Sequence, residues 1–299
     1  MNKLIVRISE GLGNQLFMYA NAYSLSKKIN YNLLIDSISA YKKIKITHFL
    51  LDKFNIKLNY ATKNDIQDNF FKYVKHKIEK KTDIFRKKKK FLIEKKYLHK
   101  STKFNNLLTE NLGSKVFLEG HFESEKYFKE YKKDIIEQFK IKQIDKSSLF
   151  LDPNILRNAN SVSIAIRQNR FSEKKTDNYS KIKSDNFVND TLNYVLQGMH
   201  FFKKKITNPK FFIFSNNTKG LNQFFENFND CTIVNHNNNK IINDFYLSSL
   251  CKNFIVGPTT FHWWTAYLSN YKNKICICPP KSLKFSSNSD IFPSNWFKI

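Results

Sequence analysis

Arginine is scarce in this 299-residue chain: among 51 basic residues, only Arg7, Arg86, Arg157, Arg167 and Arg170 carry a guanidinium. A sequence that otherwise relies on lysine keeps arginine where a flat, forked donor is wanted. Arg167 closes the apolar run VSIAIR, and Arg170 follows three residues later. At the carboxyl end of a strand, a guanidinium can grip a phosphate through two parallel hydrogen bonds. It can equally form a surface ion pair, here with Glu173 or Asp177. A second stretch, Gly11-Leu12-Gly13-Asn14-Gln15, follows the apolar run LIVRI. Glycines after a strand allow a tight turn and close approach of a ligand, and the following helix start attracts an anion. The stretch lacks the third glycine of a dinucleotide fingerprint and the Lys-Ser/Thr of a P-loop, so a plain connecting turn also fits. The third stretch is Gly257-Pro258-Thr259-Thr260-Phe261-His262-Trp263-Trp264. Its hydroxyls and helix-start amides can bind phosphate oxygens, while its tryptophans read as helix packing.

These residues need a scaffold, and the hydrophobic pattern supplies one. Short apolar runs occur at 4–8, 32–36, 116–120, 162–167, 211–215, 231–234, 254–257 and 275–278, spaced by helix-sized segments. Such runs predict buried parallel strands in an α/β fold. After the first run, Leu16, Tyr19, Ala20 and Tyr23 fall at helical spacing, giving strand, turn and amphipathic helix in succession. A polar stretch around 140–160 divides the chain into domains 1–150 and 151–299, each with its own strands. The pattern weakens over 61–115, and residues 85–100 concentrate lysine. That segment reads as a solvated helix face or loop, or as a patch meeting anionic lipid. No nucleic-acid module accompanies the lysines, so nucleic acid is not an expected partner.

Hydrophobic residues make up 41% and aromatics 15% of the chain, which excludes a disordered protein despite a formal charge of +26. Charge of that sign favours anionic partners, although lysine-rich composition alone can produce it. Cys231, Cys251, Cys276 and Cys278 lie mostly in apolar runs, as buried thiols do, so a reducing compartment is expected. No run reaches the length of a signal peptide core or a membrane span. The expected location is the cytoplasm, at the inner face of the membrane if the lysine patch meets lipid.

Five segments, in order along the chain, resemble one family. They are GLGNQLFMYANAYSLSKK, LEGHFESEKYF at 118–128, NPKFFIFSNN at 208–217, NDFYLSSLCKNFIVGPTTFHWWTAYLS at 243–269, and the closing PSNWFKI. Together they are similar to the α-1,2-fucosyltransferases of glycosyltransferase family eleven, chiefly bacterial members. The resemblance implies a GT-B-like α/β fold, two Rossmann-like domains facing a central cleft, with acceptor on the amino-terminal side and nucleotide sugar on the carboxy-terminal side. It implies inverting transfer of fucose from GDP-fucose to a glycan or lipid-linked oligosaccharide, with no cofactor or required metal. By position, Arg167 would clamp the diphosphate and Asn14 would lie near the sugar and β-phosphate. Gly11, Gly13, Arg170, Ser215, Asn216, Asp244, Thr259, Thr260 and Phe261 would complete the donor site.

The chain also departs from the family pattern. Where the family has His-x-Arg-Arg-Gly-Asp, it has Ala165-Ile166-Arg167-Gln168-Asn169-Arg170. Asn216-Asn217 replaces an Asp-Asp pair suited to the two N–H donors of guanine. Pro258 stands in place of Asn. An altered donor, or a non-catalytic nucleotide or glycan binder, is the alternative reading. Among His121, Glu123, Glu125 and Asp244, spacing singles out no general base, and Glu125 with Lys126 reads as a surface pair.

Overall fold

Every apolar run named above forms a strand in the computed structural model, which describes residues 1–41, 48–94, 109–173, 177–234, 241–283, 286 and 288–299. The chain divides into two units, Met1–Lys142 with Ser286–Pro293, and Gln143–Phe285 with Ser294–Ile299. The domain boundary read from sequence falls at 150, within the polar stretch 140–160, whereas the contacts divide at 142, and 286–293 returns to the first unit. Polar ties explain the return. Ser286 Oγ donates to the Glu123 carboxylate, Ser124 Oγ donates to the Asp290 carbonyl at 2.8 Å, and Lys126 pairs with Asp290 at 3.2 Å. The second unit is therefore not one continuous block from 151 to 299, and the ion-pair partner of Lys126 is Asp290.

The first unit runs β1 (Lys3–Arg7), α1 (Leu12–Ile29), β2 (Asn32–Asp36), α2 (Phe70–Thr82), β3 (Lys89–Ile93), β4 (Leu112–Glu119) and α3 (Lys132–Gln138). Its sheet has the order β2-β1-β4-β3, parallel throughout. Leu4, Ile5 and Val6 of β1 are all buried, the unbroken apolar run that a strand covered on both faces requires. Leu16, Tyr19 and Ala20 of α1 are buried, and Tyr23 lies at the rim. β3 carries no such run: only Phe91 and Leu92 are buried, and Lys89 and Lys90 lead into them. Lysines on an edge strand discourage unwanted pairing, and here they also hide the strand from the hydrophobic pattern. Residues 89–93 are thus strand rather than helix face or loop, and 95–100 lie outside the described residues.

The second unit runs α4 (Pro153–Asn158), β5 (Asn160–Ile166), α5 (Asn178–Lys205), β6 (Pro209–Ser215), α6 (Leu221–Phe225), β7 (Cys231–Val234), α7 (Ile241–Ser249), β8 (Asn253–Ile255), α8 (Thr260–Leu268), β9 (Cys276–Cys278) and β10 (Phe297–Lys298). Its parallel sheet has the order β10-β9-β8-β5-β6-β7. Counted from β5 this is 6-5-4-1-2-3, the doubly wound Rossmann arrangement. Val162, Ile164 and Ile166 of β5 share a buried cluster with Val195, Met199 and Phe202 of α5. Cys251, Cys276 and Cys278 are buried, and burial pushes each thiol up to about 12, which keeps them inert.

Strand addition reverses beside the central strand of each sheet, between β1 and β4 in the first unit and between β5 and β8 in the second. In open α/β sheets, ligands gather at the carboxyl ends of strands at such reversals.

Candidate active site

In the second unit the reversal brings together the loop after β5 and the turn between β8 and α8. Gly257 makes this approach possible, since a Cβ there would lie 2.2 Å from the Ala165 carbonyl oxygen. Beneath the turn, fully buried His262 accepts the Gly257 N–H at Nδ1 (2.8 Å). Its Nε2 must then carry the proton and donate to Ser163 Oγ at 2.9 Å. The chain of hydroxyls continues through Ser248 and Thr265 and closes on the His262 carbonyl. Burial depresses the imidazole to about 3, so this network is neutral and fully satisfied.

On that base sit the residues expected to hold phosphate. Thr259 caps α8, its Oγ1 accepting the His262 N–H at 3.1 Å. Thr260 and Phe261 open the helix, where N–H groups have no acceptor within the helix and the dipole end is positive. Phe261 packs edge-on against Phe245 of α7 at 5.3 Å, and Asp244 precedes that ring, half-buried. Arg167 stands at the end of β5, its side chain 41% exposed. Its guanidinium makes a forked contact with Glu173, with Nε and Nη2 donating over 2.7–3.1 Å. The ion pair anticipated with Glu173 is therefore formed.

Two expected donor contacts have other work here. Arg170 donates to the Pro258 carbonyl at 2.8 Å, and its guanidinium lies 4.9 Å from the centre of the Phe187 ring. It ties the loop after β5 to the turn before α8. Asn216 accepts the Gln168 N–H at 2.8 Å and donates to the Gln168 carbonyl at 3.2 Å, joining the ends of β5 and β6. Ser215 Oγ donates to the Asn217 carbonyl at 2.6 Å and shapes the same turn.

The reversal in the first unit carries the opposite chemistry. The left-handed residue of the turn after β1 is Glu10, with φ 64°, rather than either glycine. Gly11 has an ordinary φ of −76° and open space around its Cβ position, while Gly13 is buried in the first turn of α1. For a residue with a Cβ the left-handed region costs about 1–2 kcal/mol. Gln15, fully buried, holds this turn by donating to the Glu10 and His48 carbonyls and accepting the Leu50 N–H. Asn14 Nδ2 donates to the Glu10 carboxylate. The other Glu10 oxygen lies 3.2 Å from His121 Nε2, and His121 Nδ1 lies 3.8 Å from Glu123. His121 follows β4 and is positioned by Glu94, which accepts the His121 and Phe122 N–H groups. The Glu10 side chain remains 45% exposed. Sequence reasoning passed over Glu10, although a carboxylate directly before a glycine at a strand end was the available signal.

Among the described residues, no group of three or more His, Cys, Asp or Glu is arranged to hold a metal ion. The chain matches the sequence pattern of Glycosyl transferase family 11 over residues 3–299. An alpha-1,2-colitosyltransferase of Escherichia coli is 28% identical over 306 residues, spanning 100% of this chain and 99% of its own length. The O-antigen biosynthesis glycosyltransferase WbnK of Escherichia coli is 24% identical over 309 residues, spanning 98% and 99%. Among solved structures, NodZ α-1,6-fucosyltransferase co-crystallised with GDP aligns with a TM-score of 0.51 at 14% identity, covering 94% of this chain and 96% of that one. Arabidopsis thaliana FUT1, as a variant in complex with GDP, aligns at 0.50 and 13% identity, covering 95% and 71%. The architecture is thus that of the GT-B-like fucosyltransferases. With the family pattern running from end to end of the chain, the protein belongs to glycosyl transferase family 11 and is a glycosyltransferase.

Proposed function

We propose that this chain transfers a 6-deoxyhexose, fucose or a close analogue, from a GDP carrier to a glycan hydroxyl in an α-1,2 linkage. The observation that carries the reading is Arg167 at the end of β5, the strand paired with β8, which leads into α8, at the reversal of a doubly wound sheet. Departure of GDP leaves negative charge on the β-phosphate. A guanidinium and preorganised N–H groups stabilise that charge without a divalent cation. Thr259 and Thr260 contact the phosphates, Phe261, Asp244 and Ser215 border the nucleoside, and Arg170 and Asn216 hold the loops that present them. In the first unit, the Glu10 carboxylate takes the proton of the attacking hydroxyl, positioned by Asn14 and His121. Gly11 and Gly13 leave the start of α1 open to the sugar. The acceptor is a polysaccharide unit, in keeping with the O-antigen role named for one relative.

Colitose is the second reading, favoured by the name of the 28% identical relative. Colitose is fucose without its 3-hydroxyl, so a site that hydrogen-bonds this group would reject colitose strongly. Transfer assays with GDP-fucose and GDP-colitose, with Arg167→Ala as control, separate the two. Turnover of neither donor, or unchanged turnover in the Arg167→Ala variant, overturns the assignment.

A further inference from the structure

We propose that the outward face of α2 and the turn after it, residues 70–88, is a docking surface for an anionic lipid bilayer. The helix is turned inside out relative to an ordinary surface helix. Its inward side is polar: His76 is buried and meets Glu119 at the end of β4, and Lys80 reaches the same carboxylate. Burial alone would raise the Glu119 pKa, but the contacts from His76 and Lys80 prevail and lower it to about 2, so the carboxylate stays ionised. His76 also packs edge-on between Phe91 and Phe117. Ile78 lies about 160° around the helix from His76 and shares a stripe with Phe71, seven residues earlier.

The outward stripe is apolar. Phe71 is 82% exposed, Phe85 83%, Ile84 79%, Phe70 71% and Ile78 57%. Cations surround them: Lys75, Lys77 and Lys81 on the helix, and Arg86, Lys87 and Lys88 after the turn, are all exposed. No acidic residue shares this face. Glu79 turns to Lys90 at 3.6 Å, and buried Asp83 accepts the Lys90 and Phe91 N–H groups and lies 3.9 Å from Arg86 Nε. Large apolar side chains in solvent, ringed by cations alone, are the pattern of an interfacial helix that buries its apolar face below anionic headgroups. Lysine stems reach from that depth to the charged layer. Nucleic acid would use the cations and could stack on the phenylalanines, but Ile78 and Ile84 have no π-face to offer a base. The bilayer uses both halves of the pattern. Among the described residues no helix is long and apolar enough to cross a membrane, so the contact proposed is peripheral.

The test is cosedimentation of the full chain with vesicles of phosphatidylcholine alone and of equimolar phosphatidylcholine and phosphatidylglycerol. Binding to the anionic vesicles, and little to the neutral ones, is expected. The double variant Phe71→Ser/Phe85→Ser keeps every charge and weakens binding about tenfold. Lys75→Glu/Lys81→Glu keeps every apolar residue and weakens it about as much. Circular dichroism and GDP affinity should match the wild type for both variants, since all four residues lie on the surface. Equal recovery with both vesicle types overturns the proposal, as does wild-type vesicle binding by the Phe71→Ser/Phe85→Ser variant. Tighter binding of the wild type to duplex DNA than to vesicles, or a wild-type dimer that the serine variant dissociates, assigns the face to another partner and also overturns it.

Discussion

The two sheet reversals are built alike and charged oppositely. Each has a glycine that leaves no room for a side chain: Gly257 against the Ala165 carbonyl, and Gly120, where a Cβ would lie 2.5 Å from Glu94 Cβ. Each rests on a fully buried polar side chain whose hydrogen bonds stay inside the protein, His262 in the second unit and Gln15 in the first. Above this common base, one reversal presents Arg167, two threonines and a helix start, and the other presents Glu10, His121 and Glu123. A scaffold that fixes loop geometry does not fix polarity. The polarity is chosen by a few side chains at strand ends, so one fold can present a guanidinium at one reversal and carboxylates at another.

The sharpest test of that division is to remove one charge from each side. Arg167→Ala should lower kcat/KM for transfer about a thousandfold, or about 4 kcal/mol, and weaken GDP binding in calorimetry. Unchanged GDP affinity would show that the second reversal is not the anion site. Glu10→Gln should lower kcat about a hundredfold while leaving GDP affinity at its wild-type value. If the glutamine variant loses GDP affinity in step with kcat, or retains full activity, the proton-accepting role assigned to the first reversal fails.

Acid separates the units as well. His262 is held neutral by burial, its pKa lowered from 6.5 to about 3, so protons bind the unfolded second unit preferentially across that interval. Stability from this residue is complete above pH 6.5 and falls, by about 1.4 kcal/mol per pH unit, as pH drops toward 3. Glu119 in the first unit is lowered from 4.5 to about 2, so its contribution is complete above 4.5 and is lost only below that. Between pH 6.5 and 4.5 the second unit should weaken first in denaturant titrations followed by segment-resolved hydrogen exchange. Simultaneous weakening, or a slope that His262→Gln does not reduce, would remove the neutral network as its cause.

What the sequence disclosed follows from where the physics is local. Every apolar run read as a strand is one; β1, β5, β8 and β9 bury consecutive residues, as cover on both faces demands, while edge strand β7 buries only Val234. β3 escaped because an edge strand led by lysines needs only two buried side chains. The return of 286–293 to the first unit is tied by individual contacts, among them hydrogen bonds from Ser286 and Ser124 and the Lys126–Asp290 pair, which leave no periodicity. At the candidate site, spacing placed Arg167 after a strand and Thr259 before a helix, as they stand. It could not tell that Asn216 would be consumed by the Gln168 backbone, that Arg170 would fasten Pro258, or that Glu10 would take the left-handed place. Those outcomes depend on which atoms meet after the sheet has formed.

The smallest expected effect concerns the carboxylate that now occupies Arg167. Glu173 and the guanidinium it holds are both partly exposed, so their pairing contributes about 0–1 kcal/mol. A diphosphate offers the same forked acceptor geometry with more negative charge and should displace the carboxylate. Glu173→Gln removes the competitor and should tighten GDP by up to about fivefold in calorimetry, with kcat little changed. The arginine would then resemble a spring-loaded clamp less than an occupied one, its affinity tuned by a neighbour that must first let go. Weaker GDP binding in the glutamine variant would mean that Glu173 stays on Arg167 in the complex and aims it, making the carboxylate part of the anion site instead of its rival.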